Sequence, residues 1–229
     1  MSLSLISSPV RIACKGILLD MDGILISSLG SVERSWTRWA EMRGVDPAYA
    51  CRMTHGRRAI ETVALLRPDL DSAAELRVIE EIELADGEGV AVLPGVHDLL
   101  KRLPQNRWTV VTSATERLAR ERMRLGGIPV PERIVTAESV RRGKPDPEPY
   151  LAGAALLGFA PEECVVFEDA ASGTKAARAA GCTVVATTFS HSIESLAAAH
   201  YLIADLTRVE VAHLADCGDV VLKLTPIEV

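Results

Sequence analysis

Two aspartates one residue apart, Asp20 and Asp22, follow the apolar run Ile17, Leu18, Leu19 and lead onto Gly23 in the stretch GILLDMDGILISS, residues 16–28. Carboxylates so close suppress each other's ionisation, so a positive partner is needed to keep both charged. A hard cation such as Mg2+, which takes oxygen ligands, meets that need. Three other places carry reactive side chains in a similar setting. Ser113 follows the apolar segment 108–111, Lys144 lies in RGKPDPEPY (142–150), and Glu168 with Asp169 follows the segment 164–167. Each has an ordinary explanation alone. Asp-Gly makes turns, a serine caps a helix, a loop lysine is solvated, and acids complement the dipole of a following helix. Their common position argues otherwise, because each closes an apolar strand or opens the loop beside one.

The elements that must position these groups follow an α/β rhythm. Apolar runs at 17–19, 108–111, 164–167, 183–187 and 201–203 read as strands, with a short one at Ile134 and Val135. Helices are expected through Val96–Leu103, from Thr115 to Leu125 before Gly126 and Gly127, through Leu151–Leu157, along the Ala-rich stretch ending at Gly181, and near Ile193–Ala199. Alternating units of this kind form a parallel sheet covered on both faces, with ligands at the carboxyl ends of the strands. That rule gathers Asp20, Asp22, Ser113, the Lys144 loop, Glu168 and Asp169 at one rim.

Between the first strand and Leu93 the pattern is helical. Val32, Trp36, Trp39 and Met42 share helical spacing and Gly44 ends the helix; a second helix runs through Ile60–Leu66 to Pro68, and a third starts at Ser72 with Glu75 completing a capping box. Trp36 and Trp39 read as core of this block rather than as a stacking platform. The organisation is therefore an α/β core of residues 1–28 and 93–229 with a helical cap, 29–92, seated over the rim.

With 229 residues, 48% of them hydrophobic, the chain can bury a large core. A formal net charge of −6 gives no general attraction for nucleic acid or an anionic membrane. Five scattered cysteines without a C-x-x-C pair point to reduced thiols and a cytoplasmic setting. Neither a signal peptide nor a membrane span is expected.

From Gly16 to Arg208 the sequence closely resembles the haloacid dehalogenase superfamily of aspartate-nucleophile phosphohydrolases. DMDG (20–23), VVTSA (110–114), GKPDPEPY (143–150) and VVFEDAASG (165–173) appear in the family's order. Together with THGRRAIETV in the cap, they look most like small-sugar, polyol and glycerol phosphate phosphatases, and are similar one step further away to β-phosphoglucomutase. The resemblance implies a Rossmann-like core with Mg2+ as cofactor. It makes Asp20 the nucleophile and a metal ligand, and Asp22 the acid/base, with its backbone carbonyl on the metal. Glu168 and Asp169 complete the metal shell, Asp169 as the safer direct ligand. Ser113, with Thr112 as an alternative one residue away, donates to phosphate, and Lys144 offsets its charge. Gly23, Ala114, His55, Gly56 and Arg57 are implied to contact substrate, with Arg58 beside them. Ser27 replaces the family's usual aspartate, which touches substrate detail rather than chemistry.

The expected activity is hydrolysis of a small sugar, polyol or glycerol phosphate through an aspartyl phosphate, by a monomer. A phosphomutase is the alternative, kept open by Arg57 and Arg58. A binding protein that has lost catalysis is disfavoured because every ionisable residue of the motifs is present. Dehalogenation is disfavoured because the second aspartate and the acidic pair have no evident task in it. His97, His191, His200 and His213 read as surface or packing residues.

Overall fold

The computed structural model describes residues 8–54, 58–86, 90–214 and 219–227. In chain order the elements are β1 (Val10–Cys14), β2 (Gly16–Leu19), β3 (Ile26–Ser27), α1 (Leu29–Arg43), α2 (Pro47–Thr54), α3 (Ala59–Leu66), α4 (Ser72–Ala85) and β4 (Ala91–Val92). There follow α5 (Val96–Arg102), β5 (Trp108–Val110), α6 (Glu116–Leu125), α7 (Glu148–Leu157), β6 (Cys164–Glu168), α8 (Ala171–Ala180), β7 (Thr183–Thr187), β8 (Tyr201–Ile203), β9 (Val209–Leu214) and β10 (Val220–Leu224).

The apolar runs form one parallel sheet in the order β5-β2-β6-β7-β8. β2 lies inside it, Leu19 pairing with Val110 on one side and Phe167 on the other. Successive side chains alternate between faces. Ile17, Leu19, Val165 and Phe167 join one core, and Leu18, Cys164 and Val166 the other. Both faces are buried, which is why these strands read as unbroken apolar runs. Each fully buried aliphatic chain contributes about 1.5–3 kcal/mol, so the register of β2 is held firmly where Asp20 leaves it.

The chain departs through β3 and returns through β4, which pair antiparallel with Ile26 opposite Val92. Between them α1–α4 pack around their own cluster, which includes Trp36, Trp39, Ala50, Val63 and Ile79. Trp36 and Trp39 meet edge-to-face at 5.4 Å. Glu75 accepts from Trp39 Nε1 at 2.8 Å and from Arg43 Nε at 2.7 Å, so both rings are anchored inside the block.

Several expectations need correction. Asp71, not Ser72, caps α4, its carboxylate accepting from the amides of Ala73 and Ala74. The strand expected at Ile134 and Val135 is a single bridge between Val135 and Val111. The helix expected at 193–199 is one 3-10 turn, Ile193–Leu196. Helix α2 escaped the sequence pattern, since Ala50 is its one buried residue. So did the antiparallel sheet β1-β10-β9. Cys14, Cys51, Cys164 and Cys182 are free thiols, and Cys217 lies outside the described residues. Among the described residues no helix is long and apolar enough to cross a membrane.

Candidate active site

Asp20 follows β2, and Glu168 ends the neighbouring β6 with Asp169 next in the chain. The loop before α7 brings Lys144 between them. Its Nζ donates to Asp20 Oδ1 at 2.9 Å, to Glu168 Oε1 at 2.6 Å and to the Val111 carbonyl at 3.2 Å. Tyr150, one turn into α7, donates its hydroxyl to the same Glu168 Oε1 at 2.8 Å. Glu168 Oε2 accepts from the amides of Asp169 and Ala170 at 2.8 and 2.9 Å. Both oxygens of Glu168 are thus doubly bonded to protein donors, Lys144 among them.

Carboxylate oxygens of Asp20, Glu168 and Asp169 lie within 4.8 Å of one another, all three residues buried. Three buried carboxylates face one buried ammonium, an excess of two negative charges. Burial, with Glu168 and Asp22 adding repulsion, lifts the Asp20 carboxyl to about 7 although Lys144 opposes it. Burial and the charges of Glu168 and Asp20 likewise raise Asp169 well above the carboxylate range. Glu168 is lowered: its burial works the other way, but Lys144, the Ala170 amide and Tyr150 outweigh it. Burial pulls Lys144 down, and Asp20 and Glu168 raise it by more, so it stays charged. A divalent cation on the oxygens of Asp20 and Asp169 would balance the excess, so the donor set fits Mg2+. Two glycines let the carboxylates in. A Cβ on Gly23, whose φ is +84°, would stand 1.8 Å from Asp169 Oδ2, and one on Gly173 would stand 1.6 Å from Glu168 Oε1.

Asp22 is held differently. Its Oδ1 accepts from Ser28 Oγ and from Arg122 Nη1 of α6, the latter at 3.0 Å. Thr112 is buried with its hydroxyl accepting the Ala114 amide at 3.1 Å, whereas Ser113 is partly exposed. Both line a cavity of about 760 Å³ between the sheet rim and α1–α4, together with Asp20, Asp22, Gly23, Ala114, Lys144 and Asp169. The rim residues foreseen from the sequence are therefore brought together. His55, Gly56 and Arg57 lie outside the described residues.

Arg58 does not reach into the cavity as a free cation. Its guanidinium pairs with Glu61 and donates to the carbonyls of Ala137, Val140 and Arg141 at 3.4, 3.1 and 2.8 Å. His191, expected at the surface or in packing, lines the cavity, with Nδ1 2.6 Å from Ser190 Oγ. Ser190 in turn donates to Asp169 Oδ2. His200 is exposed, its Nδ1 accepting the Val184 amide at 2.9 Å, in keeping with a surface or packing residue. Arg122, Ser28, Tyr150 and Ser190 were not singled out in the sequence. Tyr150 and Ser28 had a signal, their places within GKPDPEPY and GILLDMDGILISS.

The site is thus a buried lysine–carboxylate cluster at the ends of the central strands of a parallel sheet, beneath a helical cover. Residues 14–181 match the haloacid dehalogenase-like hydrolases, and the chain belongs to that family. Hexitol phosphatase A of Escherichia coli (strain K12) is 40% identical over 215 residues, covering 92% of this chain and 99% of that protein. Glycerol-1-phosphate phosphohydrolase 2 of Saccharomyces cerevisiae is 33% identical over 201 residues, covering 82% and 80%. Among solved structures, CbbY from Rhodobacter sphaeroides in complex with phosphate has a TM-score of 0.72 and 25% identity, covering 88% of this chain and 98% of that one. The chain is accordingly a phosphoric monoester hydrolase.

Proposed function

We propose that this chain is a Mg2+-dependent phosphatase of a small sugar or polyol phosphate, with hexitol and glycerol phosphates as the first candidates, acting through an aspartyl phosphate on Asp20. The observation that carries the reading is the buried contact of Lys144 with both Asp20 and Glu168 beside Asp169. The Asp20 carboxylate attacks phosphorus and the ester P–O bond breaks. Asp22 gives its proton to the departing alkoxide, then takes one from the water that attacks the aspartyl phosphate. Lys144 stays charged and offsets negative charge on Asp20 and the phosphoryl oxygens, while Ser113 donates to one of them. Glu168 and Tyr150 fix Lys144. Asp20, Asp169 and the Asp22 carbonyl would hold Mg2+, which would supply charge neutralisation for the transferring group.

Closeness to a hexitol phosphatase and a glycerol phosphate phosphohydrolase supports the substrate class. The cavity, about 760 Å³, is in the range for a small molecule. A mutase would have to hold a second phosphate with its cap, and Arg58 is already occupied by Glu61 and three carbonyls. Phosphate release with Mg2+ should be measured across glycerol, hexitol, hexose and 2-deoxyhexose phosphates. Turnover with free phosphate as product, absent after Asp20→Asn and after chelation, is the expected result. Undiminished turnover in Asp20→Asn, or an isomerised ester without phosphate, would overturn the reading.

A further inference from the structure

Arg122 is a buried arginine on α6, 4% exposed, and it stands between two acids from different parts of the molecule. Nη1 donates to Asp22 Oδ1 at 3.0 Å, and Nη2 is 3.5 Å from Oε2 of Glu83 on α4. The second contact is an ion pair by distance but lacks hydrogen-bond geometry, so Nη2 is a buried donor without a hydrogen-bond partner. The Glu83 side chain is itself buried, 8% exposed, and its ionised form is costly there without a cation. Neither acid has the guanidinium to itself.

The consequence falls on Asp22. Ser28 and Arg122 both donate to Oδ1. That leaves Oδ2, which has no protein donor among the described residues, as the oxygen open to a ligand. That is the arrangement an acid needs if one oxygen is to be fixed and the other is to exchange a proton with a ligand. Arg122 can fix Oδ1 only while its own plane is fixed, and the second acid it faces belongs to the helical block. A shift of a few tenths of an ångström of α4 toward α6 would bring Nη2 within hydrogen-bond distance of Glu83.

Resting on the phosphatase reading, we propose that Arg122 and Glu83 are positioning residues that couple the seating of the helical block on the sheet to the orientation of Asp22. The block thereby does more than cover the cavity. When α4 is seated, Glu83 completes the bonding of Arg122, and Arg122 holds Asp22 ready to protonate the departing oxygen.

The test compares two esters in the full-length protein with Mg2+: glycerol phosphate, whose alkoxide must be protonated as it leaves, and p-nitrophenyl phosphate, whose phenolate need not be. Wild-type phosphate release tests the phosphatase reading alone; the variants test the coupling. Glu83→Gln, nearly isosteric, should lower kcat for glycerol phosphate roughly tenfold, and Arg122→Met about a hundredfold, with KM within about twofold. The single-turnover burst of nitrophenolate should fall by less than about threefold in both. Glu83→Gln combined with Arg122→Met should be no slower than Arg122→Met alone, because both act through one contact chain. Equal losses with the two esters, additive losses in the double variant, or an unchanged kcat for glycerol phosphate in Glu83→Gln would overturn the proposal. Glu83→Gln guards against misfolding, since it removes charge and keeps volume.

Discussion

Glu168 and Asp20 share one ammonium on unequal terms. Glu168 has Lys144, Tyr150 and two amides, while Asp20 has Lys144 and faces two further acids. Burial therefore leaves Asp20 at about 7, and, under Arg122, Glu83 also at about 7. A folded-state value above the unfolded one means the folded chain binds more protons, so stability falls as pH rises from the ordinary carboxylate value to about 7. With chelator present, the protein should be more stable at pH 6 than at pH 8, by about 1 kcal/mol for each such group. Saturating Mg2+ should raise the melting temperature more at pH 8 than at pH 6, because protons compete for the same oxygens. Thermal unfolding at the two pH values, with and without the ion, measures both effects; equal melting temperatures without Mg2+ would contradict the charge excess. Asp20, Lys144, Glu168 and Asp169 were legible because each sits at a strand end or in the loop beside one. Arg122 was not, because the acid it bonds lies 100 positions away and nothing in the local pattern of α6 announces it.

At the scale of elements, the parallel strands were readable because burial on both faces makes them unbroken apolar runs. Strands β9 and β10, which pair antiparallel, escaped because β10 is buried on one face only and alternates between buried and half-buried positions instead of forming a run buried on both faces. What sequence pattern could not convey is how closely the turns after β2 and β6 approach. Gly23 has a left-handed φ and no room for a Cβ beside Asp169, and Gly173, in the first turn of α8, has none beside Glu168. Gly173→Ala should displace the Glu168 carboxylate and with it Lys144. We expect a loss of about 1–3 kcal/mol from broken buried hydrogen bonds and at least about a hundredfold lower kcat. Urea unfolding together with phosphate-release kinetics checks this. A variant with normal kcat would mean that Lys144 does not depend on Glu168 for its place.

At the scale of the whole molecule, the helical block is fastened to the sheet on two sides of the cavity. On one side Arg58 reaches the carbonyls of Ala137, Val140 and Arg141, just ahead of Lys144. On the other, Thr115 and Arg117 bond Glu80, Arg117 also pairs with Glu81, and Arg122 faces Glu83. The two fastenings differ in kind. The α4–α6 side carries charges that lead to Asp22, whereas the Arg58 side ties backbone carbonyls of the segment before Lys144 and bonds no reacting side chain. Loosening them should therefore give different kinetic signatures. Arg58→Ala removes a largely buried clamp whose hydrogen bonds are together worth about 1–3 kcal/mol. It should raise KM for small polyol phosphates up to about tenfold and admit bulkier esters, with kcat changed by less than about threefold. Hydrogen exchange should rise in α2 and α3 and stay unchanged in β2 and β6. If Arg58→Ala instead lowers kcat and leaves KM unaltered, Arg58 acts on the chemistry and the division of labour between the two fastenings is wrong.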